Sequence, residues 1–116
     1  MNKLIIIIGL LLNATISMAQ NPVGDFSNHA DIGNPKLKGA AAFNVSEQSY
    51  HLKGAGYNIW FGRDEFHYAY NKIKGDFILT ANFKLIGKGV DPHRKIGWMV
   101  RASEGDDAAH MTATVH

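Results

Sequence analysis

The sequence predicts an all-β fold, an antiparallel β-sandwich. Three observations predict it. Runs over residues 56–103 alternate apolar and polar side chains with period 2, the pattern of half-buried strands. Gly, Asp, Asn and Pro separate those runs and mark turns. After residue 19 no stretch carries a convincing helical period.

The chain begins with a targeting pattern. Lys3 precedes an apolar run from Leu4 to Leu12, broken by Gly9, and Ser17-Met18-Ala19 forms a small-x-small cleavage site. Residues 1–19 are therefore expected to be a signal peptide with an N-terminal helix, cleaved before Gln20. The run is shorter than the roughly 20 residues of a membrane span, so no stable span is expected after cleavage. The absence of Cys excludes lipid attachment at this site. The implied location is exported, periplasmic or extracellular.

The elements follow in order. Residues 21–35 are rich in Asn, Asp, Gly and Pro and read as an irregular loop with room for one short strand. Residues 37–44 and 49–53 read as two strands of a hairpin, with Ser46-Glu47-Gln48 as its turn. Residues 57–61 alternate as a strand, placing Tyr57, Ile59 and Phe61 on one face and Trp60 on the other. Gly62-Arg63-Asp64-Glu65 reads as the next turn. In residues 66–71, Phe66, Tyr68 and Tyr70 oppose His67, Ala69 and Asn71. The longest apolar stripe is Phe77, Leu79, Ala81, Phe83 and Leu85, a predicted core strand. After a polar loop around Asp91-Pro92, Ile96, Trp98 and Val100 alternate, an acidic turn spans residues 103–107, and Met111, Ala113 and Val115 alternate to the last residue. A strand pattern still running there, without a covering turn, predicts a sandwich incomplete at the C-terminus. Residues 20–116 are then the N-terminal part of a longer domain, with a downstream domain or half-domain as partner.

Composition bounds the partners. The chain has 116 residues and a formal net charge of +2, which falls when Lys3 is removed. That balance gives no electrostatic reason to bind nucleic acid. With no Cys, an exported domain this short has no disulfide staples and a modest core.

The order of several short motifs resembles the secreted bacterial domains with a concanavalin A-like (lectin/glucanase, laminin-G-like) jelly roll. The carrying residues are Asp31-Ile32-Gly33-Asn34, Tyr50-x-x-x-Gly54-x-Gly56-x-Asn58-Ile59-Trp60, Asp64-x-Phe66-His67-Tyr68-x-Tyr70, Lys74-Gly75-Asp76-Phe77 and Ile96-Gly97-Trp98-Met99-Val100-Arg101. The resemblance covers roughly residues 24–116. It implies a non-catalytic module, in some members joined to enzymes or to propeller domains of the periplasmic TolB kind. It carries over no catalytic residue, because the Glu-x-Asp-x-x-Glu run of the glucanase relatives is absent here.

Aromatic residues are the first candidate site. Tyr57, Trp60, Tyr68 and Trp98 can stack on the apolar face of a pyranose or fill the space between two sheets. Alternation assigns Trp98 to the core and puts Tyr57 and Trp60 on opposite faces of one strand. His67, Arg101 and His110 lie on the polar sides of apolar strands, where Arg suits bidentate carboxylate recognition; solvated or buried hydrogen-bonding positions are the plainer account of them. The sequence does not say whether the three meet. The spacing of His29, His67, His93 and His110 fits no tight zinc pattern. Asp25, Asp31, Asn34 and Asp91 offer oxygen ligands for calcium, but turn chemistry explains the same residues, so no cofactor is expected. Glu104, Asp106 and Asp107 share one turn and do not form a carboxyl pair across a cleft. The reading is an exported binding module for carbohydrate or envelope glycan, with Trp60, His67, Arg101, His110 and Tyr57 as ligand-binding residues. The alternatives are a fragment of a glycoside-active jelly-roll enzyme and a structural or interaction domain of an envelope protein.

Overall fold

The computed structural model describes residues 20–116. The expected signal peptide lies outside these residues. Among the described residues every regular element is a β-strand: β1 (Asn28–Ile32), β2 (Ala40–Asn44), β3 (Ser49–Lys53), β4 (Ile59–Trp60), β5 (Arg63–Asp64), β6 (Phe66–Tyr70), β7 (Ile96–Arg101) and β8 (His110–Val115). They form four antiparallel two-stranded sheets, β1–β6, β2–β3, β4–β5 and β7–β8. The all-β, antiparallel class expected from the alternation is therefore present.

Three of the pairs are hairpins closed by local chain reversal. β2 and β3 run in register from Ala40↔Lys53 to Asn44↔Ser49 around a four-residue loop. The Asn44 carboxamide caps that loop by accepting from the Ser46 N–H and hydroxyl, the Asx chemistry that makes Asn a turn former. β7 and β8 pair from Ile96↔Val115 to Arg101↔His110. The β1–β6 pair is long-range, from Asn28↔Tyr70 to Ile32↔Phe66.

Side chains tie these sheets together. The Tyr68 hydroxyl donates to the Met99 carbonyl at 2.7 Å, joining β6 to β7. The Asp64 N–H donates to the Asp106 carbonyl at 2.7 Å, joining β5 to the β7–β8 loop. A tight turn closed by mutual Val23 and Phe26 hydrogen bonds sets Phe26 edge-on to Tyr50, with ring centroids 5.1 Å apart. Ile32, Val23 and Tyr70 are the buried apolar residues, so the core sits where β1, β6 and the N-terminal turn meet.

Two expectations are corrected. The stripe of residues 77–85 was expected to be the central core strand, but it has no ladder partner, and Phe77 and Leu79 are exposed. Phe83 still turns toward the β7–β8 hairpin and meets Trp98 edge-to-face at 5.9 Å. Its period-2 alternation defines an apolar face, but a strand also needs neighbouring backbone donors and acceptors, and none pairs with it among the described residues. The expected strand over residues 57–61 contracts to Ile59–Trp60. The expected turn at residues 62–65 instead contains β5, and the reversal occurs at Phe61-Gly62. Phe61 has φ +58. A two-residue hairpin loop needs a positive φ at its first central position, and here the aromatic residue, not the adjacent glycine, supplies it.

Candidate functional site

Three polar or aromatic constellations emerge, and they divide the five expected ligand-binding residues among them. The first is the β4–β5 hairpin tip. Tyr57, Trp60 and Phe61 line one open depression with Gly62 and Arg63. Their exposures are 73 %, 58 % and 93 %, unusual for three large aromatic side chains within five residues. Trp60 and Phe61 meet edge-to-face with centroids 5.6 Å apart.

Backbone geometry fixes this arrangement. A positive φ is a genuine outlier for a bulky residue and costs about 1–3 kcal/mol. It turns the Phe61 ring outward from the tip. Tyr57 is held from behind, where its N–H donates to the Glu65 carboxylate at 2.9 Å. Arg63 pairs with the other oxygen of Glu65. Gly56 lets this segment lie directly on the backbone between β5 and β6, since a Cβ there would collide with the Glu65 carbonyl. Tyr57 and Trp60 therefore share one surface, contrary to the opposite faces that strict alternation assigned. Tyr57 lies before β4, where the pleat no longer governs it.

The second constellation is internal. Arg101 was a candidate for carboxylate recognition, but its side chain is 1 % exposed and its donors are spent. Nη1 donates to Asp64 Oδ2 at 2.8 Å, Nη2 to the Gly105 carbonyl at 2.6 Å and Nε to the Ser103 carbonyl at 3.3 Å. The guanidinium carbon also lies 5.2 Å from the Phe66 ring centroid, a cation–π distance. His110 completes the cluster, with Nδ1 3.3 Å from Asp64 Oδ2 and 3.1 Å from the Ala108 carbonyl. Both of those oxygens only accept, so Nδ1 carries the hydrogen and its 3.3 Å contact with Arg101 Nη1 is not a hydrogen bond. Arg101 and His110 do meet, as a clamp of β5 and the β7–β8 hairpin, with Arg101 and Asp64 buried and His110 at its exposed edge.

His67 is elsewhere. It projects from the face of β6 opposite Phe66, and its ring, 4 % exposed, sits between Asp31 and His29. Nδ1 lies 2.8 Å from Asp31 Oδ1, and Nε2 lies 3.0 Å from His29 Nδ1. The register makes this possible: Asp31 pairs with His67 across the ladder, and His29 is two residues back on the same face of β1. Asp31 also accepts from the Gly39 N–H with both oxygens, at 3.0 and 3.1 Å. Partial burial works to raise the Asp31 pKa, but the His67 and Gly39 hydrogen bonds and the nearby His67 and Lys38 charges outweigh it and hold the carboxyl below its usual 3.8.

A fourth polar contact closes the core. The buried Tyr70 hydroxyl accepts from Asn28 Nδ2 at 2.9 Å and donates to Glu104 at 2.5 Å. Burial, and then the Glu104 carboxylate, push the phenol up to about 12.

Of the residues weighed as metal ligands, His29 and His67 meet at 3.0 Å, with Asp31 on the far side of the His67 ring. Among the described residues no three His, Asp or Glu side chains come together at a metal site. Sequence reasoning missed Phe61, Asp64 and the Asp31–His67–His29 chain. The His29-x-Asp31 spacing was a usable signal for the last, since it places both on one strand face. Comparison of the chain with protein-family models, with curated proteins and with solved structures finds no match.

Proposed function

We propose that this chain is an exported, non-catalytic binding module of the concanavalin A-like β-sandwich class. Its ligand is a carbohydrate, stacked on the rings of Tyr57, Trp60 and Phe61. The observation that carries this reading is the exposure of all three rings on one depression. Flat rings match the apolar face of a pyranose, and the neighbouring Arg63, half-exposed and lining the same depression, supplies donors for its hydroxyls. Strain at Phe61 supports a functional role, because a costly backbone conformation persists where the ring's position is needed. The export pattern at residues 3–19 is consistent with a glycan ligand outside the cytoplasm.

His67, Arg101 and His110 leave the binding set, because each is committed to internal partners. A shallow aromatic site that must desolvate hydroxyls binds weakly, so dissociation constants near millimolar are expected. The test is a glycan array followed by titration. Trp60→Ala should weaken any hit at least tenfold, while Arg101→Lys should leave affinity unchanged. Unchanged affinity in Trp60→Ala would move the site elsewhere. An array without hits would favour a protein-interaction module.

A further inference from the structure

We infer that His29 and His67 form a two-imidazole site for a divalent late transition-metal ion, with copper(II) the tightest ligand. The site is separate from the aromatic tip. Its basis is the cross-strand placement of His29 Nδ1 3.0 Å from His67 Nε2, with Asp31 behind His67.

The spacing suits coordination. Two nitrogens bound at about 2.0–2.1 Å to a tetrahedral zinc are about 3.3 Å apart; at right-angled positions of a tetragonal copper or nickel they are about 2.9 Å apart. The observed separation falls between these values. The two rings lie edge-on, with centroids 5.1 Å apart and planes at 61°.

The proton positions also suit it. Asp31 can only accept, so His67 Nδ1 carries the hydrogen and Nε2 presents a lone pair. This is the carboxylate–histidine arrangement that orients ligating imidazoles and raises their basicity. Asp31 is in turn fixed by the Gly39 N–H. A Cβ at Gly39 would strike both the His67 ring and Asp31 Oδ1, so glycine lets the loop close on this pair. Without metal, His29 Nδ1–H donates to His67. Moving that hydrogen to His29 Nε2 leaves two neutral imidazole lone pairs facing each other, and an ion replaces the shared proton with no change in net protonation. Two protein ligands leave the other coordination positions to water or a small ligand. Affinity in the micromolar range follows, and the Irving–Williams order makes copper(II) the best probe.

The experiment is titration of the purified chain with copper(II) against a glycine competitor, read by calorimetry and by electron paramagnetic resonance. One equivalent should bind with nitrogen hyperfine structure from two imidazoles, and zinc should compete. Paramagnetic broadening should fall first on the His29 and His67 ring signals in the unaltered chain, a readout that needs no variant. His29→Gln should lower affinity at least tenfold, and Asp31→Asn about 10–100-fold. The exposed His93 and His116 rings, 6.4 Å apart, are the rival pair. Binding that survives His29→Gln but is lost in His93→Gln would overturn the assignment. So would broadening centred on His93 and His116, or no stoichiometric binding.

Discussion

β6 and the stripe of residues 77–85 are built from similarly apolar, alternating sequence, yet only β6, paired with β1, joins a ladder. β1 and β6 hold Ile32 and Tyr70 in the core and order His67, Asp31 and Asn28 through hydrogen bonds. Residues 71–95 contain no strand, and Ile78 and Val90 are almost wholly exposed. The difference lies in partners rather than in hydropathy. Alternation specifies a face, whereas a strand requires a neighbour for its backbone groups.

Hydrogen exchange gives the sharpest test of this contrast. Amides in the β1–β6 and β7–β8 ladders should be protected by orders of magnitude relative to residues 77–85, because opening them breaks both ladder and core. Equal protection at residues 77–85 would mean that this stripe pairs in solution, and the contrast would collapse.

Mutational cost should follow the same division. Arg101→Ala leaves Asp64, 3 % exposed, as a buried charge without its main partner, for about 3–5 kcal/mol. Phe83→Ala removes one partly exposed edge contact with Trp98 and should cost about 1 kcal/mol, well below a buried Phe→Ala change. Denaturant midpoints decide it; a larger loss at Phe83 would place the working core around residues 77–85.

Much of this division was legible in the sequence, and the failures have physical causes. The β2–β3 hairpin, β6, β7 and β8 lie within the runs that alternation marked, because each finds a partner within reach. β1 was obscure: in Asn28-His29-Ala30-Asp31-Ile32 only Ala30 and Ile32 are apolar, and the opposite face carries the polar chain to His67. Trp60 and Tyr57 were candidate stacking residues in the sequence, but alternation put them on opposite faces. Phe61 was not, since nothing in its neighbours requires positive φ at a position that glycine normally fills. Pairings such as Arg101 with Asp64 depend on strand order, which local periodicity does not encode.

Alkaline pH probes the best-ordered region. The Tyr70 phenol is raised to about 12 from an ordinary value of 10. Its neutral form is therefore favoured by folding. That contribution is complete below pH 10 and is lost as pH rises from 10 toward 12. Melting curves should show stability falling across this window, and Tyr70→Phe should remove that component of the slope. An identical alkaline slope in the variant would mean that Tyr70 ionises freely.

The smallest stability effect tests whether the hairpin tip is built for a ligand. Phe61→Gly relieves a left-handed aromatic residue at φ +58, worth about 1–3 kcal/mol. The added freedom of glycine in the unfolded chain offsets about 0.5–1 kcal/mol. Because the Phe61 side chain is 93 % exposed, almost no burial is lost. The variant should gain about 1 kcal/mol in stability. If the tip binds sugar, the same change should weaken that binding severalfold, since one of three stacking surfaces disappears. Opposite signs for stability and affinity are the expected mark of strain kept for function. A stability gain with unaltered affinity would leave Phe61 strained for no binding purpose, and a stability loss would show that its ring packs against the fold.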